Sequence, residues 1–470
     1  MQNTDRIWDL VEARRAAYRG LADRVFDTPE IAYTEYASAD AHLEMLQAEG
    51  ARITRDLAGI PTAIMGEWGS GGPIIAILGE YDALPALGQE PGIAEERPVG
   101  KAGHGCGHNL LGSAAMMAAA ALRDWLAETG IPGRVRYYGC PAEEGGAAKT
   151  FMVRAGLFDD VDAAITWHPA SVNAVDDAVS LANTRIDYTF HGRAAHAAGA
   201  PELGRSALDA VELMNVGVNY MREHMPDDAR IHYAYLDAGG IAPNVVQARA
   251  TVRQLIRARD LPGLRELIAR VDKIAEGAAL MTETRVERRV VSGVSNLIGN
   301  RPLEEAMQVS FERLGPPVFD AADRDYAEAI RKTLTPDHIA ASFRRIGMAT
   351  RPDLPLADFI APLERVSIGG EGSTDVGDVS WAVPTVQARV ATCAVGTPFH
   401  SWQLTAQGKS PVAHKGMEHA AKVMASTARQ LFESPALLAA AKAEHDARLA
   451  AHPYVCPMPD DVMPPIQPRG

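Results

Sequence analysis

Apolar residues near the start of the chain recur at the three-and-four spacing of a helix that buries one side: Ile7, Leu10, Val11, Tyr18, Leu21 and Val25. The spacing predicts one amphipathic helix from Asp5 to about Phe26, with Thr4 as its cap. A second helix is expected from about Ser38 to Gln47, stopped by Gly50. The period then changes. Pro73-Ile74-Ile75-Ala76-Ile77-Leu78-Gly79 is a short unbroken apolar run ending in polar Glu80-Tyr81-Asp82, the pattern of a strand covered on both faces. It recurs at Arg134 to Gly139, followed by Glu143-Glu144, and at Ala163 to Thr166, followed by Trp167-His168. Helical stretches over Leu110 to Ala127 and Ala147 to Ala155 lie between. Strands alternating with helices predict an α/β fold: a mostly parallel sheet with helices on both faces. Such sheets bind ligands beyond the carboxyl ends of their strands.

From about Leu181 the pattern becomes that of half-exposed antiparallel strands, at Asn183 to His191 and Ala248 to Arg257. Helices are expected around Ser206 to His224 and Leu261 to Ala279, and a last strand at Arg285 to Ser292. A β-α-β-β-α-β order fits, which makes residues 181–298 an inserted α+β, ferredoxin-like domain. Residues 1–180 and 299–470 then form the main domain. The returning segment carries Gly369-Gly370-Glu371-Gly372, a strand near Val386 to Ala391 and a helix from about Val412 to Phe432. Pro457 to Gly470 is a Pro-rich extended tail. No role is assigned to the stretch from Arg301 to Pro362, and no internal repeat is evident.

A chain of 470 residues divides into more than one domain. Its 47% hydrophobic and 23% charged residues are those of a globular protein. The net charge of -14 argues against nucleic acid as a partner. It also means that any site for a substrate carboxylate needs cations placed locally. Four cysteines in a chain this long are not a disulfide framework. No basic segment followed by an apolar run opens the chain, and the Ala114 to Leu122 run is too short for a bilayer. A cytoplasmic location with no membrane partner is therefore expected.

Candidate chemistry falls at the predicted strand ends or just before a helix. Gly103-His104-Gly105-Cys106-Gly107-His108-Asn109 places a thiol and an imidazole in a glycine-flanked turn, and these side chains suit Zn²⁺ and similar ions. Pro141-Ala142-Glu143-Glu144 offers two carboxylates pointing different ways, one for a metal and one for a proton. His168, His400 and Asp82 complete the set, Asp82 as a residue that could fix a ligand by hydrogen bonding. Each motif alone is weak: a chance thiol, a solvated acidic turn, a structural histidine. Together they form an ordered constellation.

That constellation resembles the aminoacylase/carboxypeptidase family of di-metal peptidases and amidohydrolases. The likeness covers nearly the whole chain, is strongest toward members acting on aminobenzoyl-glutamate, and extends to those acting on N-acyl amino acids and auxin–amino acid conjugates. The resemblance implies that Cys106, His108, Glu144, His168 and His400 bind two divalent ions, Mn²⁺ or Zn²⁺. It implies that Glu143 is the general base and that Asp82 orients a ligand. The inserted domain would be a lid and dimerisation domain. In it, His196 would stabilise the oxyanion, often from the partner subunit, Asn244 would contact substrate, and Arg257 would grip the substrate carboxylate. A homodimer is implied, or a hetero-oligomer with a paralogous subunit. Departures are Asn109, where relatives mostly carry Asp, and Glu80, where other branches place a metal-binding His. His104 reads as structural, and Ser373-Thr374-Asp375 as a turn able to touch substrate. Two rival readings remain: a thiol hydrolase with Cys106 as nucleophile, and a non-catalytic supporting subunit.

Overall fold

The computed structural model of the chain describes residues 4–365 and 372–469. Its main sheet has seven strands, ordered Arg52–Thr54, Ile64–Ser70, Gly133–Cys140, Ile74–Glu80, Ala163–Ala170, Thr385–Ala391 and Ala174–Val175. The central four are parallel. The strands outside them are antiparallel, including Ile64–Ser70, which the sequence pattern does not suggest.

Ile74–Glu80 is buried at every position because it feeds two cores at once. Ile75 and Ile77 join the cluster formed by the helices His108–Thr129 and Pro411–Glu433. Ile74, Ala76 and Leu78 face Phe151, Met152 and Phe158 on the other side. Gly133–Cys140 divides the same way, with Val135 and Tyr137 on one face and Tyr138 and Cys140 on the other. Helix His108–Thr129 is buried on all sides as far as Leu122, where its Gly and Ala residues let it lie close to the sheet. It ends at Gly130, whose φ of 68° closes the last turn by donating to the Leu126 carbonyl.

Ala182–His191, Arg230–Asp237, Arg249–Ala258 and Arg285–Val294 form a second, antiparallel sheet. Helices Ala207–Met221 and Leu261–Thr282 cover one face through Ile186, Tyr188, Phe190 and Val252. The other face is polar.

The single opening helix becomes two, Arg6–Glu12 and Arg15–Asp27, and Asp5 rather than Thr4 caps the first. His168 lies within strand Ala163–Ala170, not after it. The stretch from Arg301, without a role in the sequence, holds helices Arg301–Leu314, Ala321–Arg331 and Pro336–Arg345. Of the glycine-rich Gly369-Gly370-Glu371-Gly372 segment, Gly369, Gly370 and Glu371 lie outside the described residues. Among the described residues no helix is long and apolar enough to cross a membrane.

Candidate metal centre

Each candidate side chain is aimed by its local backbone. Gly107 has a φ of 80°, a conformation open to glycine. It reverses the chain between Cys106 and the first residue of the helix, His108, so that both turn inward. After strand Gly133–Cys140, Ala142 holds a left-handed φ of 58°, uncommon for a residue with a side chain. Its N–H donates to Oε1 of buried Glu35 at 2.9 Å, which fixes the turn presenting Glu143 and Glu144. His400 is also left-handed, at φ 55°, and its N–H is held by the Gly105 carbonyl at 2.8 Å. Functional sites are where such strain is retained.

The five expected ligands converge. Ligand atoms of Cys106, His108 and His168 lie within 4.8 Å of one another, as do those of Cys106, Glu144 and His400. Cys106 belongs to both groups. Asp82 Oδ1 lies 2.9 Å from His108 Nδ1, leaving Nε2 to face the cluster. The other oxygen of Asp82 accepts the Glu144 backbone N–H at 2.9 Å. His168 Nδ1 is engaged by the Pro169 carbonyl at 2.8 Å, which frees its Nε2, 3.4 Å from Cys106 Sγ.

Two buried atoms show that this donor set suits divalent cations. His108 Nε2 and Glu144 Oε1, 4.0 Å apart, have no hydrogen-bond partner. Glu80 Oε2 lies 3.3 Å from His108 Nε2, within ion-pair range but not aligned for a hydrogen bond. Buried polar atoms rarely go unpaired, and a cation reaching both would satisfy both.

Electrostatics agree. Burial, then the carboxylates of Glu80, Glu144 and Asp375, push Glu143 well above the usual carboxylate range. Burial and Glu144 push the Cys106 thiol up, and burial pushes His168 down. Cys106 and His168 are spaced like a nucleophile and its base, yet both are driven toward their neutral forms. A thiol hydrolase would leave Glu144, His400 and the unpaired His108 Nε2 without a role.

Sequence reasoning missed a buried charge system beneath the site. Lys149 Nζ lies 2.6 Å from Glu80 and 2.6 Å from Asp375, and all three are buried away from solvent. The available signal was a single cation, Lys149, among apolar residues just after the acidic pair. Glu80, which the expected ligand set does not use, groups with His108 and Glu143 as a third set of possible ligands. Asn109 does not face the site, because its Nδ2 donates to the Ala22 and Gly408 carbonyls. His104 pairs with the Val25 carbonyl, consistent with a structural role.

Two cavities meet over the cluster. One, of 390 Å³, runs toward the second sheet and is lined by Glu143, Glu144, Arg185, Arg257, Ser373 and His400. The other, of 210 Å³, is lined by Cys106, Trp167, His168, Val179, Leu297 and Phe399, with Arg345 from the stretch after Arg301. His196 and Asn244 are not among the residues lining either. They sit together on an exposed loop pair of the second sheet, joined where the Ala197 N–H donates to the Asn244 carbonyl at 3.0 Å.

Residues 76–459 match the family described as Peptidase family M20/M25/M40. The chain belongs to that family. It is a metal-dependent hydrolase of amide or peptide bonds. It is 46% identical over 468 residues to a subunit of the p-aminobenzoyl-glutamate hydrolase of Escherichia coli K12, covering 97% of each chain. The fold is similar to that of an aminobenzoyl-glutamate utilization protein from Klebsiella pneumoniae, with TM-score 0.59, 18% identity, and 89% and 97% of the two chains covered. It is also similar to a Bacillus subtilis dinuclear metal binding peptidase of the M20 family, with TM-score 0.53, 17% identity, and 87% and 99% covered.

Proposed function

We propose that this chain hydrolyses the amide bond of an N-acyl amino acid of the aminobenzoyl-glutamate type, with two divalent cations that would be held by ligand groups to which Cys106 is common. The observation carrying this reading is the convergence of both ligand groups beside Glu143, at the floor of a cleft that continues to Arg257. His108, His168, Glu144 and His400 complete the two ligand sets, and the thiolate and imidazole donors admit Zn²⁺ or Mn²⁺. When bound, the cations would polarise the scissile carbonyl and lower the pKa of water from 15.7 to about 7.

The protein's own groups supply the rest. Glu143 takes a proton from the attacking water and passes it to the leaving amine. Arg257 binds the α-carboxylate of the amino-acid part, fixing the amide over the base. The apolar walls Val179, Leu297 and Phe399 take the acyl group.

In this reading residues 181–298 are a ferredoxin-like lid and dimerisation domain, and 1–180 with 299–470 the catalytic domain. The lid exposes Tyr220 (74%), Val216, Tyr233 and Tyr235 along a helix and an edge strand, a surface suited to a second copy. His196 Nδ1 accepts N–H groups of Ala198 at 3.2 Å and Gly199 at 3.0 Å, which makes Nε2 the donor. From a partner lid that donor would reach the oxyanion, with Asn244 beside it. The Escherichia coli hydrolase is named with two different subunits, and this chain is similar to both, which supports a paralogous chain as another occupant of the same surface. A cytoplasmic setting fits the four unpaired cysteines.

Purified chain loaded with Mn²⁺ is expected to release glutamate from p-aminobenzoyl-glutamate, and a chelator to abolish release. Turnover that survives complete chelation, or none with any metal, would remove this reading.

A further inference from the structure

Arg257 has a neighbour that shares its situation. Strand Ala182–His191 pairs with Arg249–Ala258 so that Asn183 lies opposite Arg257 and Arg185 opposite Leu255. Arg185 and Arg257 are therefore diagonal neighbours on one face, about 7–8 Å apart at the backbone. Both line the 390 Å³ cavity together with Glu143.

Two residues further along the same face, the pattern of pairing differs. Arg253 is matched to Asp187 through bonds of 2.7 and 3.0 Å. Among the described residues, neither Arg185 nor Arg257 has a carboxylate partner. Arg185 Nη1 donates to the Gly145 carbonyl at 2.9 Å, and Arg257 Nη1 to Ser373 Oγ at 3.3 Å. Gly145 admits this contact because any side chain there would run into the Arg185 guanidinium. Burial, then Arg253 and Arg257, hold the Arg185 pKa below its ordinary value. Two half-buried like charges without counter-ions are costly, and an anion with two carboxylates would relieve both.

We propose that Arg185 receives the side-chain carboxylate of a dicarboxylic amino-acid leaving group, while Arg257 holds its α-carboxylate. This rests on the hydrolase reading above and makes the acid side chain a determinant of substrate choice. Arg185 is anchored to the Glu143-Glu144 turn through Gly145, so the second carboxylate is registered against the base as well as bound.

The test compares N-benzoyl-L-glutamate with its near-isostere N-benzoyl-L-glutamine, using full-length Mn²⁺-loaded protein. In Arg185→Gln the ratio of kcat/KM values, glutamate over glutamine, is expected to fall about 10–100-fold, mainly through KM. Arg185→Lys should recover part of the ratio. Arg257→Gln should slow both substrates alike, because both carry the α-carboxylate. An unchanged ratio in Arg185→Gln, whether the two rates fall together or not at all, overturns the assignment of Arg185 and leaves the hydrolase reading intact. Wild-type protein that hydrolyses neither substrate overturns both.

Discussion

Asp82 and His108 are joined at 2.9 Å, Oδ1 to Nδ1, and the second oxygen of the same carboxylate holds the Glu144 backbone at 2.9 Å. One side chain thus sets two proposed ligands. Replacing it by Asn keeps its size but weakens its grip on the imidazole. Asp82→Asn is expected to lower metal affinity about 10–100-fold, read by competition with a chelator of known affinity. Unchanged affinity would mean that His108 is oriented by something else.

In the proposed reaction Glu143 moves protons rather than holding a cation. Glu143→Gln should keep its metal content within error and lose about 10²–10⁴ in kcat. The measurement pairs elemental analysis with steady-state rates. Loss of metal together with activity would reassign Glu143 as a ligand.

Lys149 is a lone buried cation between Glu80 and Asp375. Lys149→Met leaves two buried carboxylates without their partner, and removing one member of a buried pair costs about 3–5 kcal/mol. Denaturant unfolding in the presence of chelator should show a loss of that size. Near wild-type stability would show that the carboxylates are neutral in the metal-free protein.

What the sequence made legible follows from range. Cys106 and His108 share one turn, and the buried strands announce themselves as apolar runs, so local patterns were enough. The Lys149–Asp375 pair joins residues 226 positions apart, and its meeting is decided by how two distant segments dock. Glu80 reads in the sequence as a substitution for a ligand, when its place between Lys149 and His108 is a three-dimensional fact. The break between the first two helices is hidden because neither Ala13 nor Arg14, which separate them, is a helix-breaking residue.

Asp176 provides a pH signature in the wall of the smaller cavity, which His168 also lines. Burial opposes its ionisation, but the paired bonds from Arg389, at 2.8 and 3.1 Å, outweigh it and lower its pKa from 3.8 to about 2. A carboxylate with a depressed folded-state pKa adds stability above its unfolded pKa and loses it as pH falls through the folded one. The contribution is about 2 kcal/mol. The stability difference between wild type and Asp176→Asn should be constant from about pH 7 to 4 and shrink between about 4 and 2. A difference that does not change over that acid range would contradict the pairing.

The most direct measurement is the number of Mn²⁺ or Zn²⁺ equivalents retained per chain after loading and desalting, in wild type and in Cys106→Ala. Because Cys106 is common to both ligand groups, the expected result is two equivalents in wild type and loss of tight binding at both positions in the variant. Two equivalents retained without the thiol, or none held by the wild-type chain, would contradict a shared dinuclear centre.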